Sequence, residues 1–213
     1  MDVLELPELL ANERLGLADV LAVLTPDQWE SPSLSEGWTV RHVVAHLVMP
    51  FRYSLPRVAL KLVRAGGNFN RMADRVARQD ASLPTAELVA TLRENARHDF
   101  TPPGAGYEAP LTDLVVHGLD ICRPLAIERP IPADTTRLVL DNVVTDQSLK
   151  FFGTDLSGVE LHASDMEWTF GSGEPVVGSS SDLILAVCGR PAGSERLVGA
   201  GAHLLAERLV PSS

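Results

Sequence analysis

The chain has 213 residues, 45% hydrophobic and 22% charged, the composition of a globular protein with a real core rather than of a disordered one. Eighteen lysines and arginines stand against 28 aspartates and glutamates, a net charge of −10 with no evident basic cluster, which disfavours nucleic acid and an anionic membrane surface as partners. Cys122 and Cys188 lack zinc-ribbon or redox spacing and read as buried thiols.

Met1–Glu5 carries no basic and apolar leader, and no apolar run approaches the ~18 residues of a membrane helix, so a cytoplasmic protein is expected. From Pro7 to Leu24, Leu10, Leu17, Leu21 and Leu24 recur at helical intervals; Thr25-Pro26 ends that helix in a short turn. After the polar loop from Ser31 to Gly37, Thr39 is placed to cap a second helix with Val40, Val43, Val44, Leu47 and Val48 on its apolar side. Pro50 and Pro56 should bend or break its continuation. A helical stretch from Phe69 to Ala81 precedes Pro84, which suits the first turn of another helix bearing Leu88, Val89, Leu92 and Ala96.

A loop from Thr101 to Ala109 leads to a helix from Leu111 to about Leu125, and Thr135 to Leu149 reads as one more. After Gly153 the pattern changes to alternation in Val159–Ala163 and Met166–Phe170, a hairpin signal, with Pro175–Val177 as a third strand. Ser181–Cys188 and Leu197–Leu209 read as closing helices. The expected class is mostly α with a small α+β part: a helical bundle over residues 1–153 and a small α/β domain over 154–213.

Two polar stripes carry the chemistry. Asp113, His117 and Asp120 stand four and three residues apart on one helix, and His42 and His46 stand four apart on another. A carboxylate and an imidazole four apart can share an ion, and a third ligand from a second helix would complete a site with an open position. The same stripes, opposite apolar faces, are equally what solvated helix surfaces look like. His98 and His203 read as surface residues, His162 as packed or hydrogen-bonded within a strand, and Trp38 as a packing residue at a helix start. No nucleophile elbow, P-loop or dinucleotide fingerprint occurs in the sequence, and Ser-His-Asp catalysis has no local signature.

The stretch Ser35-Glu36-Gly37-Trp38-Thr39-Val40-Arg41-His42-Val43-Val44-Ala45-His46-Leu47 resembles the start of helix two in the mycothiol-dependent maleylpyruvate isomerase family, a branch of the DinB-like metalloproteins. Asp113 to Ile121 resembles a second motif of that family, and Asp182 to Pro191 resembles its sterol-carrier-like C-terminal domain. The resemblance implies a DinB-like four-helix bundle followed by a small α/β domain, with a divalent metal, usually zinc, held by His46, Asp113 and His117. Where Asp113 stands the family has Glu or His, so the carboxylate here is one methylene short, and either the helix sits closer or a water bridges. His42 stands where an acid is usual and either supports a ligand by hydrogen bonding, is an extra ligand, or is solvated. Asp120 is placed to orient a ligand imidazole, since metal-bound histidines usually donate their other N–H to an acceptor.

Members of the family use the open metal position with mycothiol to isomerise or conjugate small electrophiles; a metal-held thiol loses its proton at neutral pH. The activity implied is therefore that of a metal- and mycothiol-dependent isomerase or S-transferase with a small-molecule substrate. Arg190 is a candidate for binding a substrate carboxylate, or else a structural arginine in a tight turn. The alternative function is that of a metal-binding accessory or sensor protein without turnover.

Overall fold

A computed structural model describes residues 6–102 and 104–209; the absence of a leader, read from Met1–Glu5, concerns residues outside them. The chain divides into two compact units, Met1–Ile127 and Glu128–Ser213.

The first unit contains α1 (Leu6–Ala22), α2 (Pro26–Glu30), α3 (Val40–Arg52), α4 (Leu55–Arg64), α5 (Phe69–Asp80), α6 (Thr85–Glu94) and α7 (Glu108–Cys122). Both α1 and α3 pack on α6 and on α7, so these four close a ring with α1 and α3 on one diagonal, a four-helix bundle. Its centre is the apolar stripe of each helix: Leu10, Leu17 and Leu21 of α1, Val40, Val43, Val44 and Val48 of α3, Leu88 and Leu92 of α6, and Leu111, Leu114 and Val115 of α7. Arg14 interrupts the stripe of α1 but is satisfied there, its Nη1 donating to the carbonyls of Asn95, Ala96 and His98 where α6 ends. Burial lowers its pKa to about 10.

Two prolines act differently from the sequence expectation. Pro50 lies inside α3 without ending it, since in the last turn a missing N–H costs a single ladder bond. Pro56 occupies the first turn of α4, where its N–H would have had no helical partner, so it begins a helix instead of breaking one. The turn after Thr25 is itself a short helix, α2, whose first turn Thr25 closes by accepting from Gln28 N.

The second unit contains α8 (Ala133–Val143), α9 (Asp146–Phe152), β1 (Val159–Ala163), β2 (Thr169–Gly171), β3 (Glu174–Gly178), α10 (Ser180–Val187), α11 (Pro191–Ser194) and α12 (Ala200–Leu209). Its sheet has the order β2-β1-β3, with β2 antiparallel to β1 (Leu161 opposite Phe170) and β3 parallel to it (Leu161 opposite Val176). The hairpin expected from the alternation is present, though Met166–Trp168 belong to its turn. The helix expected over Thr135–Leu149 is two helices, because Thr145 accepts from Ser148 N and starts α9 afresh.

The boundary between the units falls at 127/128 and not at 153/154. Val139, Leu140 and Val143 of α8 are fully buried, α8 packs on α10, and Asp141 Oδ1 accepts from Trp168 Nε1 at 2.8 Å. Those partners tie α8 to the sheet-bearing unit. Cys122 and Cys188 are both buried. Among the described residues no helix is long and apolar enough to cross a membrane.

Candidate metal centre

The site is assembled at the packing of α3 on α7. His46 lies at the middle of α3, and Asp113 and His117 lie one turn apart on α7. Asp113 Oδ1 is 3.6 Å from His46 Nε2 and 3.5 Å from His117 Nε2. A ligand atom from each of the three lies within 4.8 Å of the other two. Donors bound tetrahedrally at ~2.1 Å from one ion stand roughly 3.4 Å apart, so this set is one that can hold a divalent cation with little adjustment. The shorter Asp113 reaches both imidazoles directly. Both histidines are buried, whereas the Asp113 side chain is 49% exposed, so the cluster borders solvent on its carboxylate side.

The imidazoles are held differently. His117 Nδ1 pairs with Asp120 Oδ2 at 2.9 Å, and Asp120 is wholly buried. A carboxylate accepts only, so Nδ1 carries a proton, and in the neutral ring Nε2 is the nitrogen left with a lone pair facing Asp113 and His46. Asp120 is itself fixed by Ser35, whose Oγ donates to the same Oδ2 at 2.9 Å, and by Leu34 N, which donates to its carbonyl. His46 lacks such support: its Nδ1 is buried without a hydrogen-bond partner among the described residues. Its ring instead lies beside Trp38, at 5.3 Å between centroids, and Trp38 also stacks on His117 at 6.2 Å.

The local sequence explains how Trp38 reaches both rings. Trp38 N donates to Ser35 O, and Gly37 takes φ +72°, a conformation a side chain would strain, so the chain turns sharply into α3. Asp74 of α5 then accepts from the indole N–H at 2.9 Å. That hydrogen bond, followed by the one from Arg78, holds the Asp74 carboxyl below its ordinary range. Ser35 is legible as part of the quoted motif, but nothing in the sequence marks Asp74 as the anchor of the indole.

His42 is not brought into the cluster. Its Nδ1 accepts from Thr39 N at 3.2 Å and lies 2.8 Å from Thr39 Oγ1, so the ring caps the start of α3. Its pKa is lowered, chiefly by burial and then by Arg78. Arg190 belongs to the second unit, where its Nη1 donates to Cys188 O at 2.7 Å beyond the end of α10. His98 and His203 are exposed, and His162 Nε2 pairs with Glu160 at 2.8 Å. A cavity of about 420 Å³ lined by residues such as Leu21, Trp29 and Val89 contains none of the three clustered residues.

Residues 10–101 match the family model described as the mycothiol maleylpyruvate isomerase N-terminal domain. Two uncharacterized proteins from two strains of Mycobacterium tuberculosis are each 26% identical to the chain over 217 residues, covering 86% of it and 84% of the relative. The crystal structure of the mycothiol-dependent maleylpyruvate isomerase superposes with a TM-score of 0.63 at 16% identity, over 95% of this chain and 94% of that one. A mutant of that enzyme gives 0.62 at 15% identity, with the same coverage. At such identities the structural likeness shows the fold.

Proposed function

We propose, because residues 10–101 match the mycothiol maleylpyruvate isomerase N-terminal domain, that the chain is a member of that family and a divalent-metal- and thiol-dependent isomerase or S-transferase acting on small electrophiles. The observation that carries this reading is the convergence of His46, Asp113 and His117 from two helices. Zinc suits two imidazoles and a carboxylate with a position left open. When bound, such an ion would favour the thiolate form of mycothiol, or of a similar small thiol, at neutral pH.

The chain's own residues supply placement. Asp120 holds the proton of His117 on Nδ1 and keeps Nε2 available, with Ser35 keeping Asp120 in register. Trp38 covers both imidazoles with an apolar face, which restricts water on that side and leaves approach from the side of Asp113. The nucleophile is assigned to the small thiol, since the three clustered side chains would be engaged as ligands and no serine, threonine or cysteine is among them.

Turnover of maleylpyruvate, and of generic electrophiles, by metal-loaded protein with and without mycothiol tests the proposal. A thiol-dependent rate lost in His46→Ala is expected. Stoichiometric metal without thiol-dependent turnover would instead leave a metal-binding accessory or sensor protein.

A further inference from the structure

The sharpest departure from the chain's acidic average lies on α4 and the start of α5. From Leu55 to Arg75 there are five basic residues, Arg57, Lys61, Arg64, Arg71 and Arg75, and one acid, Asp74. The carboxylate of Asp74 is already bound by Trp38 Nε1 and Arg78 Nε, each at 2.9 Å. The segment is therefore cationic within a chain of net charge −10, a local inversion that the overall charge conceals.

This helix is also covered on one side only. Val58 and Leu62 pack, with Tyr53, against Met49, Ala65, Met72 and Val76. No residue of α4 is buried, and Leu55, Leu60 and Val63 are exposed by half or more, as nearly is Phe69 at the start of α5. At 100° per residue, Leu60 and Val63 point away from Val58, with Arg57 and Arg64 along one edge of the same outer face. Beside them a groove of about 180 Å³ between α4 and α5 is lined by Lys61, Arg64, Arg75 and Gln79 above Met72 and Val76.

We propose that α4 and the start of α5 dock the protein on an anionic phospholipid surface, Leu60 and Val63 entering the acyl boundary and the basic groove receiving a headgroup phosphate. An apolar helix face edged by arginine and lysine is the pattern of a helix lying in the membrane interface. Anionic headgroups attract such a segment within a Debye length, while the acidic remainder of the chain is repelled, so the charge distribution fixes which side faces the lipid. A second copy of the chain fits the patch poorly. Self-pairing would oppose like charges, and a few exposed side chains fall well short of the ~800 Å² that each partner of a stable interface buries.

The test is co-sedimentation of the full chain with vesicles of equal phosphatidylglycerol and phosphatidylcholine, compared with phosphatidylcholine alone. Binding to the anionic vesicles only, released by added salt, is expected. The pairs Leu60→Ser with Val63→Ser, and Arg57→Glu with Arg64→Glu, should each weaken it by about tenfold or more. All four side chains are exposed or at the surface edge, so the melting temperature should not move, and it serves as the folding control. Failure to bind anionic vesicles, equal binding to neutral ones, or binding indifferent to both pairs overturns the proposal. So does self-association that the Leu60/Val63 pair abolishes in the absence of any vesicle binding, which would give the face to a second copy.

Discussion

His117 Nδ1 and Asp120 Oδ2 lie 2.9 Å apart, with the carboxylate wholly removed from solvent and the same oxygen also accepting from Ser35 Oγ. Asp120→Asn keeps the shape but offers an amide in place of a pure acceptor, loosening the choice of tautomer. Metal affinity, measured by competition with a chelator, is expected to fall by about 10- to 100-fold. Ser35→Ala should weaken it by less, because it leaves the pair between Asp120 Oδ2 and His117 Nδ1 itself in place.

Asp113 separates ligation from folding. Its side chain is half exposed, so Asp113→Asn should leave the melting temperature of metal-free protein nearly unchanged. Metal in hundredfold excess over its dissociation constant stabilises a folded protein by about 2.7 kcal/mol, and calorimetry should show the variant losing most of that gain. An undiminished gain would remove the carboxylate from the ligand set.

His42 should matter to stability and not to metal. Removing its acceptor from Thr39 N in His42→Ala is expected to cost about 0.5–2 kcal/mol at pH 8, with metal content unchanged. The folded pKa is lowered from 6.5, so the native state favours the neutral ring. The contribution is therefore complete above the unfolded value and is lost as pH falls through the folded one. Denaturant titrations of wild type and variant should converge on acidification; a gap that widens would mean that the cap needs the charged ring.

Much of the bundle was legible in the sequence because its stripes are long and its core is simple. Leu10, Leu17, Leu21 and the valines of α3 declare their buried faces by spacing alone. α4 was missed because it buries nothing fully and opens with a proline that reads as a breaker. The split at Thr145 was missed because a capping threonine inside a periodic run resembles an ordinary helical residue. At the site, Asp113 and His117 declare their partnership by spacing, whereas the approach of His46 depends on how α3 packs on α7 and came only from resemblance. The role of His42 was left open for the same reason: four residues from His46 suggests a shared face, yet its ring turns back to Thr39.

Packing in the second unit yields a stability prediction. A Cβ added at Gly193 would lie 2.5 Å from Ala186 N and 2.6 Å from Asp182 O, closer than real contacts allow, because α11 rests directly on α10. Gly193→Ala should destabilise the protein by about 1–3 kcal/mol in denaturant unfolding, and Gly193→Val by more. A neutral alanine variant would mean that α11 moves freely off α10.

Elemental analysis of the purified chain, together with His46→Ala and His117→Ala, bears most directly on the metal centre. Stoichiometric divalent metal, zinc foremost, is predicted in the wild type and its loss in both variants with circular dichroism unchanged. Metal-free wild type that takes up none on dialysis, or variants that hold as much as the wild type, would contradict it.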